Sequence, residues 1–206
     1  MLRFLFKRIF GSREEAKDNE MKYLIAGLGN MHPDYDGTRH NIGFEVVDLM
    51  AMEKQGTFKN DTLGDVAVIK HRGRQIYLLK PSTYMNLSGK SVRYWLQKLK
   101  IPVDNLLVVV DDINIDFGTL RLRGKGASGG HNGLKDVEKM LGTSKYARLR
   151  VGIGSDFSRG QQVDFVLGKW SDEEMDKLGK ILGKCSDAAL SFCSIGLGHT
   201  MNQFNN

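Results

Sequence analysis

Lys22-Tyr23-Leu24-Ile25-Ala26-Gly27-Leu28-Gly29-Asn30 is a short, nearly unbroken apolar run that stops on two glycines. A run of this length, apolar at successive rather than alternate positions, reads as a strand over Lys22–Leu28 that is buried on both faces and ends in a tight Gly-Leu-Gly turn. Such a strand needs helices above and below its sheet, and the sequence downstream supplies them. Asn41 to about Lys54 reads as a helix with Phe44, Val47, Leu49, Met50 and Met52 on its apolar side. Val66–Lys70 and Gln75–Lys80 read as a strand pair across His71-Arg72-Gly73-Arg74. Ser88 is placed to cap a helix over Gly89–Leu99, and Pro102 bars the helix from resuming. Leu106–Val110 predicts a central strand, Thr119–Arg123 a half-exposed one, Asn132–Leu141 a helix, Ala147–Ile153 a strand and Val163–Leu167 a shorter strand. Ser171 with Glu174 three residues later is a capping box that opens a long final helix. The alternation predicts an α/β protein: a single-domain three-layer sandwich, with a mixed central β-sheet and helices on both faces.

Gly27-Leu28-Gly29 directly after a strand raises the dinucleotide-binding fold. That fingerprint requires a third glycine three places on, and His32 stands there instead.

The chain has 206 residues, 41% hydrophobic and 26% charged, which suits one globular domain. Residues 1–20, beginning Met-Leu-Arg-Phe-Leu-Phe-Lys-Arg, have a different character and read as a flexible N-terminal extension before a domain at 21–206. Their apolar run is interrupted by charge, which argues against a membrane span and against a signal-peptide core. Cys185 and Cys193 lie eight residues apart on one expected helix, about 12 Å of rise, too far to bridge. They read as buried apolar residues in a cytoplasmic protein. Net charge is +6, and residues 121–150 alone hold eight basic residues against Asp136 and Glu138, a surplus equal to that of the whole chain. A solvated basic face is the ordinary meaning of such a run. Here it encloses a glycine-rich segment, which favours a polyanionic partner such as a nucleic acid.

Four polar motifs carry the chemistry: Gly27-Leu28-Gly29-Asn30, Thr38-Arg39-His40-Asn41, Met85-Asn86-Leu87-Ser88-Gly89 and Gly129-Gly130-His131-Asn132-Gly133. Amides and an imidazole at element ends suit the positioning of a water and a polar ester better than they suit a metal. His40 opens a helix, where its side chain can face a cleft and accept a proton near neutral pH. Asp111 and Asp112 end the strand at Leu106–Val110, where α/β folds keep their ligand chemistry, and a carboxylate there can hold the second nitrogen of a histidine. No Ser or Cys lies in a nucleophile elbow, so an activated water fits better than an acyl-enzyme. His32, His71, His131 and His199 show no metal-ligand spacing; His131 reads as part of the turn beside Asn132 and the others as surface residues. No cofactor is expected.

In this order and spacing the four motifs resemble bacterial peptidyl-tRNA hydrolases, from about Met21 to about Phe204. The resemblance implies hydrolysis of the ester between a peptide and the terminal ribose of tRNA, which recycles tRNA from aborted translation. It assigns His40 as the base and Asp111, the first of the pair, as the residue that orients it. Asn86 and Asn132 would bind substrate, and Asn30 would help tell blocked from free aminoacyl ends. Tyr35 and Tyr84 fall at aromatic substrate-contacting positions, although either also suits an amphipathic rim. Arg121, Arg123, Lys125 and Arg150 match basic positions on the tRNA-facing side, where phosphate contacts position without reading bases. The resemblance implies a metal-independent cytoplasmic monomer with no integral membrane association. Met31-His32 replaces the Pro-Gly common in the family after the first motif, although the count from Asn30 to His40 is kept. The rival readings are a noncatalytic RNA-binding protein on the same fold and a peptidase or general esterase, the last of which leaves the basic surplus unexplained.

Overall fold

A computed structural model describes residues 21–205, so the expected extension at 1–20 lies outside the described residues. Seven strands form one mixed sheet in the order β2-β3-β4-β1-β5-β7-β6. They are β1 (Lys22–Gly27), β2 (Lys59–Asp61), β3 (Gly64–His71), β4 (Arg74–Pro81), β5 (Leu106–Asp112), β6 (Leu120–Arg123) and β7 (Ala147–Gly152). The inner strands β4, β1, β5 and β7 run parallel, while β2, β3 and β6 add antiparallel edges. Every residue of β5 is buried, as an unbroken apolar run in a covered parallel sheet requires.

Six α-helices follow in chain order among the described residues: α1 (Ile42–Glu53), α2 (Ser88–Leu99), α3 (Asn132–Leu141), α4 (Gln162–Leu167), α5 (Asp172–Ile195) and α6 (Leu197–Phe204). Strand alternation sorts the core into two halves. Ile25, Leu107, Val109 and Leu149 face α1 and α5, among them Val46, Met50, Cys185 and Ala189. Leu24, Ala26, Val108 and Val110 face α2 and α3, against Val92, Trp95, Leu134 and Val137. The three-layer sandwich is therefore observed.

Two glycines set how closely α1 approaches β1. A Cβ on Gly27 would stand 2.0 Å from the Gly43 carbonyl oxygen, and one on Gly43 would stand 2.4 Å from the Leu28 nitrogen. Backbone lies on backbone here, which carries the start of α1 to the carboxyl end of β1.

Four expectations need correction. Val163–Leu167 is not a strand but most of the short helix α4. Its backbone closes locally, with Phe165 N donating to Gln161 O at 3.0 Å. Five residues, apolar but for Asp164, carry too little periodicity to separate the two forms. On α1 the buried apolar side chains are Ile42, Phe44, Val46, Val47, Met50 and Ala51, whereas Met52 is exposed and Leu49 half-buried. Ser88 does not cap α2; it is the first helical residue, and its hydroxyl donates to Met85 O at 2.8 Å. The capping box at Ser171 is present. The helix it opens is not final, because Gly196, at φ +81°, breaks it from α6.

Candidate active site

The carboxyl ends of β1, β4 and β5 open on a cleft of about 440 Å³, within the usual size for small-ligand sites. Its floor is a carboxylate shared by two imidazoles. Alternation along β5 sends Asp111 toward the α1 face and Asp112 toward the α3 face. His40 lies in a single 3-10 turn, Arg39–Asn41, that leads into α1. Its Nδ1–H donates to Asp111 Oδ1 at 2.8 Å. His131 caps α3 from the opposite layer, and its Nε2–H donates to the same oxygen at 3.0 Å.

The partners assign both tautomers. Leu134 N, which can only donate, gives its proton to His131 Nδ1 at 3.3 Å. His131 therefore presents its Nε2–H to Asp111. Ionised Asp111 can only accept, so His40 carries its proton on Nδ1 and its Nε2 lone pair is free to act. Burial pulls the pKa of His40 down, but the charge of Asp111 and the hydrogen bond to it outweigh burial, and the value stands above 6.5. Burial alone would raise Asp111, yet the two imidazoles hold it well below the usual carboxylate range.

The amides stand around this trio. Asn41 Oδ1 accepts from Asn30 N at 2.8 Å, and its Nδ2 donates to Asn30 O at 3.0 Å. This pairing locks the loop after β1 against the start of α1. Asn30 Oδ1 accepts from Met85 N at 2.9 Å. Its acceptor is thus used, and its Nδ2 has no protein partner among the described residues. Asn30, Asn86 and Asn132 all line the cleft. Tyr84 stands on its rim, 69% exposed. Tyr35, the other expected aromatic, is half-buried in a separate 3-10 turn at Pro33–Tyr35 and is not part of the lining. The substituted His32 caps that turn, accepting from Asp34 N at 3.4 Å.

The expected basic residues divide. Arg121 and the exposed Arg123 lie on β6, with exposed Lys125 just beyond; none of the three lines the cleft. Arg150 does line it, but as a brace and not as a free cation. Its NH1 donates to Asp112 Oδ2 at 2.8 Å and its NH2 to Ala127 O at 2.7 Å. Counting charge along the chain also overstates the surface: Arg148 is completely buried and pairs with Glu138 at 3.1 Å.

Sequence reasoning misses three residues here. His131 reads from sequence as a turn residue. Its one visible signal is its place immediately before Asn132 at a helix start. Asn41 and Arg39 stand inside a motif, where nothing local gives either a role. The expectation of no metal-ligand grouping also changes. Ligand-type atoms of His40, Asp111 and His131 lie within 4.8 Å of one another, although the residues are 71 and 20 positions apart in sequence. The nitrogens that face Asp111 are its hydrogen-bond donors, so a cation among them would have to displace both protons.

Over most of its length the chain is similar to known proteins. A family model described as peptidyl-tRNA hydrolase matches residues 24–206. A peptidyl-tRNA hydrolase of Phocaeicola vulgatus is 54% identical over 185 residues, spanning 90% of this chain and 99% of that protein. One from Cytophaga hutchinsonii is 51% identical over 185 residues, spanning 90% and 98%. The crystal structure of peptidyl-tRNA hydrolase from Acinetobacter baumannii superposes with a TM-score of 0.84 at 33% identity, covering 90% of this chain and 95% of that one. A methylthioadenosine nucleosidase of Arabidopsis thaliana shares the fold alone, with a TM-score of 0.52 at 8% identity.

Proposed function

Since the chain belongs to the peptidyl-tRNA hydrolase family and hydrolyses peptidyl-tRNA, we propose that it does so by direct attack of a water activated by His40, without a metal. The observation that carries this reading is the 2.8 Å bond from His40 Nδ1–H to Asp111. It leaves Nε2 as the free base and places a negative charge behind the ring as the imidazolium forms. Water loses a proton to Nε2 and its oxygen attacks the ester carbonyl. The tetrahedral intermediate collapses by expelling the ribose oxygen, which takes the proton back from His40. Asn86 and Asn132 hold the substrate, and amide donors aimed into the cleft stabilise the oxyanion. With its Oδ1 engaged by Met85 N, Asn30 offers its Nδ2 donor to the cleft. It suits the carbonyl of a blocked peptide end and opposes a free ammonium, which is itself a donor.

Arg121, Arg123 and Lys125 supply phosphate contacts to the acceptor stem. Arg150 supports them indirectly by bracing the loop at 126–130. Tyr84 flanks the peptide. Tyr35 keeps its family-implied role only if substrate extends past the cleft. No helix among the described residues is long and apolar enough to cross a membrane. The family resemblance leads us to expect a monomer acting in the cytoplasm.

Hydrolysis of N-acetyl-aminoacyl-tRNA by the chain and by His40→Ala, beside a simple ester, tests the reading. Turnover of the tRNA substrate should fall about 10²–10⁴-fold in the variant while tRNA still binds. Binding without turnover by the unmodified chain would favour a noncatalytic RNA-binding protein. Preference for the simple ester would favour a general esterase.

A further inference from the structure

We infer that Arg39 is a positioning residue for the hydrolysis: its guanidinium ties the α4 wall of the cleft to the turn that carries His40. The inference rests on the hydrolytic reading of the cleft. α4 supplies Gln162, Val163, Val166 and Leu167 to the lining, yet it is six residues long and has no fully buried residue. A helix that short does not hold itself in place.

Arg39 supplies what α4 lacks. Its NH1 donates to Phe165 O at 3.3 Å, and its guanidinium carbon lies 4.5 Å from the Phe165 ring centroid. Nε and NH2 fork the carboxylate of Glu174 at 3.2 and 2.6 Å. Trp170 lies on the same cation, 5.6 Å away. Glu174 is itself anchored, accepting from Ser171 N at 2.7 Å within the capping box. The backbone adds a second tie, because Arg39 N donates to Gly168 O at 3.1 Å and Thr38 bridges to Lys169. One side chain thus joins α4, the segment after it and the first turn of α5 to the residue before His40. Only 11% of that side chain is exposed, which removes it from direct contact with phosphate. A lysine keeps the charge but cannot fork a carboxylate, reach a carbonyl and stack on a ring together.

His40 has its own restraints, the bond to Asp111 and the start of α1. Loosening Arg39 therefore disturbs the wall more than the base, and the penalty belongs in KM.

The test compares Arg39→Lys and Glu174→Gln with the unmodified chain on N-acetyl-aminoacyl-tRNA, well below their melting temperatures. Glutamine at 174 can still accept from Ser171 N, so the helix start survives. Each variant should raise KM about tenfold, the scale of one charge-assisted hydrogen bond, with kcat held within about twofold. The double variant should be no worse than the poorer single one. Amides of α4 should exchange hydrogen faster in both variants, while those of α1 and β5 should not. A lower kcat at unchanged KM would place the effect on His40 and not on the α4 wall, and would overturn the inference. So would wild-type behaviour of Arg39→Lys, since charge alone would then suffice. Were the unmodified chain inactive, the functional reading would fall, while the exchange rates would still decide whether Arg39 holds α4.

Discussion

Replacing Asp111 by asparagine isolates the charge at the centre of the site. Both imidazoles address the same oxygen, Oδ1, at 2.8 and 3.0 Å. An asparagine that keeps its carbonyl oxygen there preserves both hydrogen bonds and loses only the negative charge. With the groups in contact, the centres of the imidazolium and carboxylate charges lie about 4 Å apart. At an effective dielectric of about 20 that attraction is worth about 4 kcal/mol. The His40 side chain is 13% exposed, which trims the figure, so kcat should fall by about 10²–10³-fold. The pH profile carries the sign. In the unmodified chain the acidic limb lies above 6.5, because His40 must be neutral to act and Asp111 raises its pKa. In Asp111→Asn only the effect of burial remains, which lowers that pKa, so the limb should move to lower pH as the plateau drops. Stability follows the same pair. The raised histidine contributes below its unfolded value of 6.5 and loses its contribution as pH rises through the folded value. The depressed aspartate contributes above 3.8 and loses its contribution as pH falls through its own folded value. The melting-temperature gap between the two proteins should be widest between these limits. Single-turnover rates on N-acetyl-aminoacyl-tRNA across pH decide the matter. A limb that moves upward, or a plateau that stays put, would refute the reasoning.

Three further outcomes are expected. Arg123→Ala should weaken tRNA binding equally for different tRNAs and flatten the slope of log K against log salt by roughly 0.7–0.9 for each phosphate left without its cation; a fall in kcat at unchanged salt dependence would count against the phosphate role. Turnover should persist after exhaustive chelation, with Mg²⁺ returned only to fold the tRNA, and recovery that needed Zn²⁺ would replace the water mechanism with a metal-bound one. Gly43→Ala should cost more than about 3 kcal/mol in chemical denaturation, because the new methyl meets the Leu28 backbone at 2.4 Å; a near-normal midpoint would show that α1 can retreat from β1 at little cost.

How far the chain can be read depends on how local each cause is. β5 is legible because Leu106–Val110 is an unbroken apolar run rich in β-branched residues, and α3 matches its expected limits. α4 fails as a strand because its short segment, broken by Asp164, fits either form until its surroundings are known. His40 and Asp111 are within reach, one at a helix start and the other at a strand end. His131 is not, since its role depends on α3 crossing the end of β5 from the far layer, which no spacing encodes. From the sequence Arg148 and Arg150 are miscounted as surface charge, because their partners, Glu138 and Asp112, become neighbours only through the fold. Arg39 is hidden for the same reason: its carboxylate partner lies 135 residues away.

The oxygen shared by His40 and His131 bears on how activity returns after unfolding. His40 arrives with the layer of α1 and α5, and His131 with the layer of α2 and α3. Neither half alone assembles the trio, whatever secondary structure it has regained. In a refolding experiment the burial of Trp95 follows one layer and that of Trp170 the other, while circular dichroism sums the secondary structure of both. Recovered turnover records the moment when both have docked on the sheet, and it should therefore never run ahead of the slower of the two.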